Sequence, residues 1–225
     1  MSEAKTLKIR TSPHIHSNDS TDVIMRNVAL AASPVAAFAI YAYGLAALLV
    51  LAVAVGSCVL SEYWLCDKKR SRSTVSDWSA VVTGLLLGLT LPPGLPLWMV
   101  AAGGFFAIGL GKLLFGGLGY NVFNPALVGR VVLQGAFPVA MTTWQNPFAG
   151  DRFTSAFSST FTLPFTAPGL DAASGATPLA AMKFAGQSTG SESLALGLVG
   201  GSTGEASAVL IVLGGAYLAY RNILN

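Results

Sequence analysis

A short polar stretch beginning at Ser174, with the sequence Ser-Gly-Ala-Thr-Pro-Leu, contains the side chain best suited to a covalent attachment. Gly175 and Ala176 leave little bulk beside the Thr177 hydroxyl, and Pro178 disfavours a helical conformation for the residue before it. We therefore expect Thr177 to be extended, with a hydroxyl that is exposed and open to an incoming group. Taken alone, such a string is most often an ordinary turn, so its meaning depends on the rest of the chain.

The composition places that stretch in a membrane protein. The chain has 225 residues, of which 53% are hydrophobic and only 10% are charged, whereas soluble domains carry roughly 25% charged residues. Its apolar residues fall in blocks close to the roughly 17 to 25 residues that a spanning helix needs. The chain is therefore predicted to be an all-α, polytopic membrane bundle that contacts lipid and no nucleic acid.

Six hydrophobic blocks predict about six spans, some of them broken or half helices. The blocks are 28–43, 44–65, 75–91, 97–115, 126–143 and 193–220. The predicted domains are a cytoplasmic N-terminal tail at 1–27, a membrane bundle at 28–143, an outer-face loop at 144–192, and a broken membrane helix with the C-terminal end at 193–225.

Local signals mark the ends of these blocks. The uncharged aromatic stretch 41–44 suits a tight interfacial turn, and the proline-rich stretch 92–96 cannot continue a helix. Asn124 followed by Pro125 predicts a helix start, with Asn as the cap and Pro in the first turn. The fourth block is rich in small residues that let helices approach closely in lipid: Gly103, Gly104, Gly109 and Gly111.

Two charged side chains fall near or within later blocks. Arg130 is about one and a half turns into the helix that starts at Pro125, so its side chain can reach the interface by snorkelling. Glu205 follows a glycine-rich break at 200–204 in the last block. That break fits a half-helix pair that exposes helix ends to an ion or ligand, and it fits a plain interfacial turn equally well.

The distribution of basic residues predicts the orientation. With a cytoplasmic N-terminus and six crossings, the basic residues on the cytoplasmic side include the run at 68–72, Lys112, Arg130 and Arg221. Of the 13 Lys and Arg residues, only Arg152 and Lys183 fall on the other face. The positive-inside rule therefore places Thr177 on the outer side.

Cysteine and histidine usage gives little support for a metal. Cys58 and Cys66 are the only cysteines, too few for the four thiolates that an iron-sulfur cluster usually takes, and we expect them to be inert buried thiols. His14 and His16 could share a metal in an extended segment, but no third ligand stands nearby. No metal site and no catalytic residue are predicted.

Nine motifs along the chain, taken together, resemble the D subunit of the Rnf ferredoxin:NAD oxidoreductase complex. They lie at 11–14 (TSPH), 60–64 (LSEYW), 79–86 (SAVVTGLL), 92–93 (PP), 115–121 (FGGLGYN), 124–127 (NPAL), 137–144 (FPVAMTTW), 174–179 (SGATPL) and 204–207 (GEAS). The B subunit of the sodium-pumping NADH:quinone reductase is similar in the NPAL and SGAT motifs. The TSPH start and the short N-terminal tail resemble the Rnf protein more.

The resemblance implies a flavin. In such proteins the threonine of the SGAT motif, here Thr177, carries FMN through a phosphoester bond made by a flavin transferase that uses FAD and magnesium. Electrons pass from ferredoxin to NAD while Na⁺ or H⁺ crosses the bacterial or archaeal cytoplasmic (inner) membrane. The resemblance also places Asn124 and Arg130 near the flavin and Glu205 on the ion route. The partners implied are the other Rnf subunits, including iron-sulfur subunits.

The resemblance also implies two five-helix halves of inverted topology, of which this chain corresponds to the first. We accordingly expect a fragment, a split version or the ordered part of a longer protein, with partners covering its packing faces. Two other functions stay open: a channel or transporter for a small polar solute, which the broken helices and glycine-rich packing favour, and a purely structural membrane subunit.

Overall fold

The computed structural model describes residues 20–66, 76–154, 156, 158–164, 166 and 177–223, and these residues form a helical bundle. The α-helices are α1 (Thr21–Tyr43), α2 (Leu45–Leu65), α3 (Ser79–Thr90), α4 (Leu97–Gly111), α5 (Pro125–Ala136), α6 (Pro138–Met141), α7 (Pro178–Ala185), α8 (Ser191–Leu196) and α9 (Ala208–Tyr220). Short 3₁₀ turns cover Leu113–Phe115, Ser158–Phe161 and Thr203–Ala206.

The lengths and hydropathy of these helices confirm the polytopic membrane bundle. Within the described ranges, three stretches are long and apolar enough to span a bilayer, namely Thr21–Tyr43, Leu45–Leu65 and Leu97–Phe115. The shorter helices α3 and α9 are also apolar, and α5 adds a further 12 residues. These six helices correspond to the predicted blocks, whereas the inverted-repeat relationship stays a prediction.

Helix α1 begins at Thr21, earlier than the first hydrophobic block at Val28. Ser20 is extended at the N-cap position, and Asp22 lies in the first turn, where a negative charge complements the helix dipole. The last part of the predicted N-terminal tail is therefore helical. Hydropathy detects the first apolar residue, whereas a helix can begin with a polar turn.

Gly44 alone separates α1 from α2, as the predicted tight turn requires. Its φ of 65° and ψ of −135° are readily adopted only by glycine. A Cβ at this position would stand 1.9 Å from the carbonyl oxygen of Arg152. That oxygen accepts the backbone N–H of Leu45 at 2.8 Å, so the turn is held by the loop that follows α6.

Close packing of small residues builds the core, in which α2 contacts α3 and α4, and α4 contacts α5. A Cβ on Gly104 would stand 2.0 Å from Ser57 Oγ in α2, and one on Gly111 would stand 2.7 Å from Pro125 Cα in α5. The prediction of glycine-mediated packing is confirmed. Cys58 is buried here, as predicted, while Cys66 at the end of α2 is only half-buried.

The loop after α6 packs against two turns at the same end of the bundle. Phe148 N–H donates to Ala42 O at 2.8 Å, and Arg152 Nε donates to Tyr41 O at 2.9 Å. The Gln145 side chain accepts from Gly94 N–H at 3.1 Å. These bonds join the loop to the α1–α2 turn and to the proline-rich turn before α4.

Candidate functional site

Thr177 occupies the N-cap of α7. Its φ of −66° and ψ of 155° confirm the predicted extended conformation, and Pro178 lies in the first helical turn. Thr177 Oγ1 accepts the backbone N–H of Ala180 at 3.2 Å. The residue is half-buried, so its surroundings are more enclosed than the sequence suggested. The other small residues of the motif, Ser174 to Ala176, lie outside the described residues.

The C-terminal end of α3 meets the break before α9. Thr203 N–H donates to Leu91 O at 3.1 Å, and Thr203 Oγ1 lies 2.7 Å from Gly88 O and 2.5 Å from Leu91 O. Thr203 is fully buried. Carbonyl groups at a helix C-terminus have no partner within the helix, and at membrane depth they must find one in the protein. Thr203 supplies the donors for Leu91 O, and it adds a second donor to Gly88 O, which also accepts Leu91 N–H at 3.2 Å.

Arg130, on α5, also donates a hydrogen bond to the C-terminal end of α3. Its Nη1 donates to Thr90 O at 2.5 Å, so the side chain is directed to the end of α3. This bond directs the guanidinium toward the neighbouring helix end, and the reach of Arg130 to the interface by snorkelling stays a prediction.

Glu205 stabilises the break itself. Its Oε2 accepts Ser202 N–H at 3.1 Å, and the two residues form a capping box around the 3₁₀ turn. Gly204 lies against the α3 backbone, where a Cβ would meet Leu89 O at 2.8 Å. The break is therefore packed on another helix end, which favours the half-helix interpretation over a plain interfacial turn.

A cavity of about 590 Å³ brings together three of the residues selected from the sequence: Asn124, Arg130 and Glu205. Asn124 also caps α5, because its Oδ1 accepts Ala126 N–H at 3.0 Å, as predicted. The remaining walls are mainly apolar side chains of α1, α3 and α9. Thr177 does not line this cavity, so the structure gives two separate candidate regions.

A buried ion pair at the opposite end of α3 forms a third region. Lys112 Nζ lies 2.5 Å from Glu62 Oε1, and the two residues are 1% and 0% exposed. Lys112 Nζ also donates to Ser79 Oγ at 2.5 Å. Ser79 Oγ donates in turn to the half-exposed Asp77, whose Oδ1 also accepts Ser79 N–H at 2.8 Å. A hydrogen-bonded chain thus links a buried carboxylate to the bundle end.

Sequence reasoning missed this ion pair. It treated Lys112 as a marker of orientation and Glu62 as the end of a block. The available signal was one charge of each sign near the ends of two apolar blocks, since ionisable residues within membranes are usually paired and functional. Glu62 Oε2 is buried and has no hydrogen-bond partner among the described residues.

The described ranges contain no group of three or more potential metal-ligating side chains, and His14 and His16 lie outside them.

Fold and sites together define a polytopic helical membrane protein with broken helices and ionisable groups inside the bundle. The match to a family model over residues 8–225 shows that the chain belongs to the NQR2, RnfD, RnfE family. This family agrees with the resemblance found from the motifs.

Curated relatives are the D subunits of membrane oxidoreductase complexes. The D subunit of the proton-translocating ferredoxin:NAD(+) oxidoreductase complex of Clostridium ljungdahlii is 38% identical, over all of this chain and 67% of the relative. The D subunit of the Na(+)-translocating ferredoxin:NAD(+) oxidoreductase complex of Acetobacterium woodii is 41% identical, over 85% of this chain and 54% of the relative. The D subunit of the ion-translocating oxidoreductase complex of Aliivibrio salmonicida is 45% identical, over 60% of this chain and 39% of the relative. The matches thus span between 39% and 67% of the length of these relatives.

Proposed function

We propose that this chain is a membrane subunit of an ion-translocating ferredoxin:NAD⁺ oxidoreductase complex, in which it carries FMN on Thr177 and relays electrons. Family membership supports the complex, and the N-cap position of Thr177 supports the attachment. The proposed partners are the other subunits of the complex, membrane lipid, and a flavin transferase for maturation. The proposed orientation places the Thr177 loop on the outer side and the N-terminus in the cytoplasm.

The position of Thr177 fits a phosphoester. A phosphate on its oxygen would stand at the N-terminus of an eight-residue helix, where free N–H groups and the helix dipole stabilise negative charge. Ala180 N–H, which now bonds to Oγ1, can bond to a phosphate oxygen instead. Pro178 has no N–H, so the donors left for a phosphate at this helix N-terminus are the backbone N–H groups of Leu179 and Ala180. FMN held there would supply redox chemistry that the side chains lack.

The cavity and the ion pair support the translocation part of the proposal. Glu205 and Arg130 put opposite charges on the walls of one cavity between broken helix ends, the arrangement by which membrane proteins expose ion sites. Glu62 presents a buried oxygen beside Lys112 that has no hydrogen-bond partner in the described part of the chain. Two of the relatives differ in the ion that they are named for, H⁺ in one case and Na⁺ in the other, so the proposal covers both.

The test is flavin fluorescence of the denatured protein after co-expression with a flavin transferase, followed by peptide mass mapping. We expect fluorescence that survives denaturation and a mass increase on the peptide that contains Thr177. The Thr177→Val variant should lose both signals. Thr166, an exposed outer-loop threonine whose Oγ1 bonds to Leu163 O at 2.7 Å, offers a matched control in Thr166→Val, which should keep them.

An unlabelled protein made beside an active transferase would contradict the flavin attachment. The same result combined with solute flux through the reconstituted protein would favour a channel. If Thr177 carries the label but the assembled complex takes up no ions, the flavin relay would be supported. The translocation part of the proposal would then be contradicted.

A further inference from the structure

A second cavity, of about 550 Å³, lies at the end of the bundle where α1 and α3 begin and α9 ends. Two arginines, Arg26 and Arg221, line it together with Trp78. No acidic side chain is among the described residues that line it. The cavity is distinct from the one that holds Arg130 and Glu205, and no step of the proposed function uses it.

A hydrogen bond between α1 and α9 brings together the helix segments that carry the two arginines, whose side chains are exposed. The Tyr217 hydroxyl donates to Asn27 Oδ1 at 2.7 Å, which joins the last turn of α9 to the second turn of α1. Arg26 is the neighbour of Asn27, and Arg221 is the C-cap of α9. The structure therefore holds two cations on adjacent helix ends, rather than on flexible segments.

Trp78 forms the third wall in a conformation that bulky residues avoid. Its φ is 64°, a left-handed value that is costly for a side chain of this size. Trp78 is 43% exposed, and Arg26 Cζ lies 5.9 Å from its ring centroid. Exposed tryptophan is enriched at the membrane–water interface, so the cavity opens at headgroup level.

The cavity also has an apolar side. Val23, Arg26, Asn27 and Leu30 have the spacing that puts residues on one face of a helix, and all four line the cavity. Leu30 is 58% exposed. Among the described residues, Asp22 acts on Arg26 from one turn earlier, on an exposed part of α1. It can offset one of the two arginines, so the described lining of the cavity keeps a positive charge beside an apolar surface.

We propose that this cavity binds an anionic phospholipid, whose phosphate lies between Arg26 and Arg221 and whose acyl chains follow the apolar face of α1. A phosphate accepts hydrogen bonds from guanidinium groups in paired geometry, and basic pockets between membrane helices bind acidic lipid headgroups. A free phosphate has the same headgroup chemistry but no acyl chains for the apolar side. The proposal does not depend on the flavin.

The experiment measures quenching of Trp78 fluorescence by brominated lipids in nanodiscs that contain the purified full-length protein. Phosphatidylcholine discs receive a small fraction of brominated phosphatidylglycerol or the same fraction of brominated phosphatidylcholine. The chain has four tryptophans, so the Trp78→Phe variant gives the background to subtract. We expect phosphatidylglycerol to be preferred at Trp78 by on the order of tenfold.

The Arg26→Gln/Arg221→Gln double variant should lose that preference, and Lys183→Gln, which removes an exposed charge elsewhere, should keep it. The preference of the unmodified protein should also weaken as NaCl is raised, a measurement that needs no variant. Equal quenching by the two lipids in the unmodified protein, or an unchanged preference in the folded double variant, would overturn the proposal. If inorganic phosphate abolishes the preference and NaCl of the same ionic strength does not, the site binds a free anion. That result would overturn the proposal of a bound lipid.

Discussion

Lys112 and Glu62 form a salt bridge of 2.5 Å between Nζ and Oε1, with both side chains shielded from the surroundings. The two residues are 50 positions apart and lie near the ends of α4 and α2. Burial of two charges is costly, and removal of one partner leaves the other without compensation. The pair therefore constrains which substitutions the bundle can accept.

Glu62→Leu or Lys112→Met alone should destabilise the protein by about 3–5 kcal/mol. The combined variant should regain most of that loss, because no unpaired charge remains. Unfolding in mixed detergent micelles, followed by circular dichroism, measures the three variants. If the combined variant is stable but the complex no longer takes up ions, the pair has a functional role besides its structural one. If the losses of stability in the two single variants simply add in the combined variant, the two residues are not coupled.

Thr177→Asp separates helix capping from flavin attachment. Aspartate is as good an N-cap as threonine, so the stability of α7 should be unchanged, but the side chain offers no hydroxyl for a phosphoester. Thr177→Ser should keep both properties. Covalent flavin is read from the denatured protein, and flavin retained by the aspartate variant would place the attachment elsewhere.

Thr203→Val should destabilise the protein by about 0.5–1.5 kcal/mol, because a buried hydroxyl bond is lost while Gly88 O keeps Leu91 N–H and Leu91 O keeps the backbone N–H of residue Thr203 as donors. Its Oγ1 lies 2.7 Å from Gly88 O, 115 positions earlier in the chain. Thr203→Ser retains the hydroxyl and is the matched control. The free energy of unfolding compares them, and equal stability of the valine and serine variants would contradict this role.

Gly44→Ala should be strongly destabilising. The backbone conformation alone costs about 1–3 kcal/mol for a residue with a side chain, and the new Cβ would collide with Arg152 O. Gly56→Ala in α2 is the control, since its Cβ meets no atom within 4 Å. That change should leave the free energy of unfolding equal or raise it by up to about 1 kcal/mol.

Glu205→Gln should reduce ion uptake by the assembled complex in membrane vesicles while covalent flavin content stays unchanged. The glutamine oxygen can still accept Ser202 N–H, so the capping of the 3₁₀ turn is preserved, whereas the charge on the cavity wall is lost. Glu192→Gln, in the first turn of α8, is the control. Uptake equal to that of the control would remove Glu205 from the ion route.

Local signals allowed much of the candidate site to be predicted. The start of α5 followed from Asn124 and Pro125, and the extended conformation of Thr177 followed from Pro178. Each of these depends on a side chain and its immediate neighbours in sequence. The meeting of Asn124, Arg130 and Glu205 in one cavity was anticipated only through the family resemblance, because spacing alone gives no distance between separate helices.

The sequence by itself determined that this protein is a helical membrane bundle of its family, roughly where its longer apolar helices lie, and which threonine is the candidate for flavin attachment. Hydropathy, helix capping and proline geometry are local properties, so they can be read along the chain. The tertiary structure alone decided that Lys112 pairs with Glu62 and that Arg130 donates to Thr90 O. It also decided that Thr203 donates to a carbonyl group at the end of α3. A charge or an unpaired carbonyl group inside a bilayer must find a partner, but packing of distant helices determines which partner is within reach.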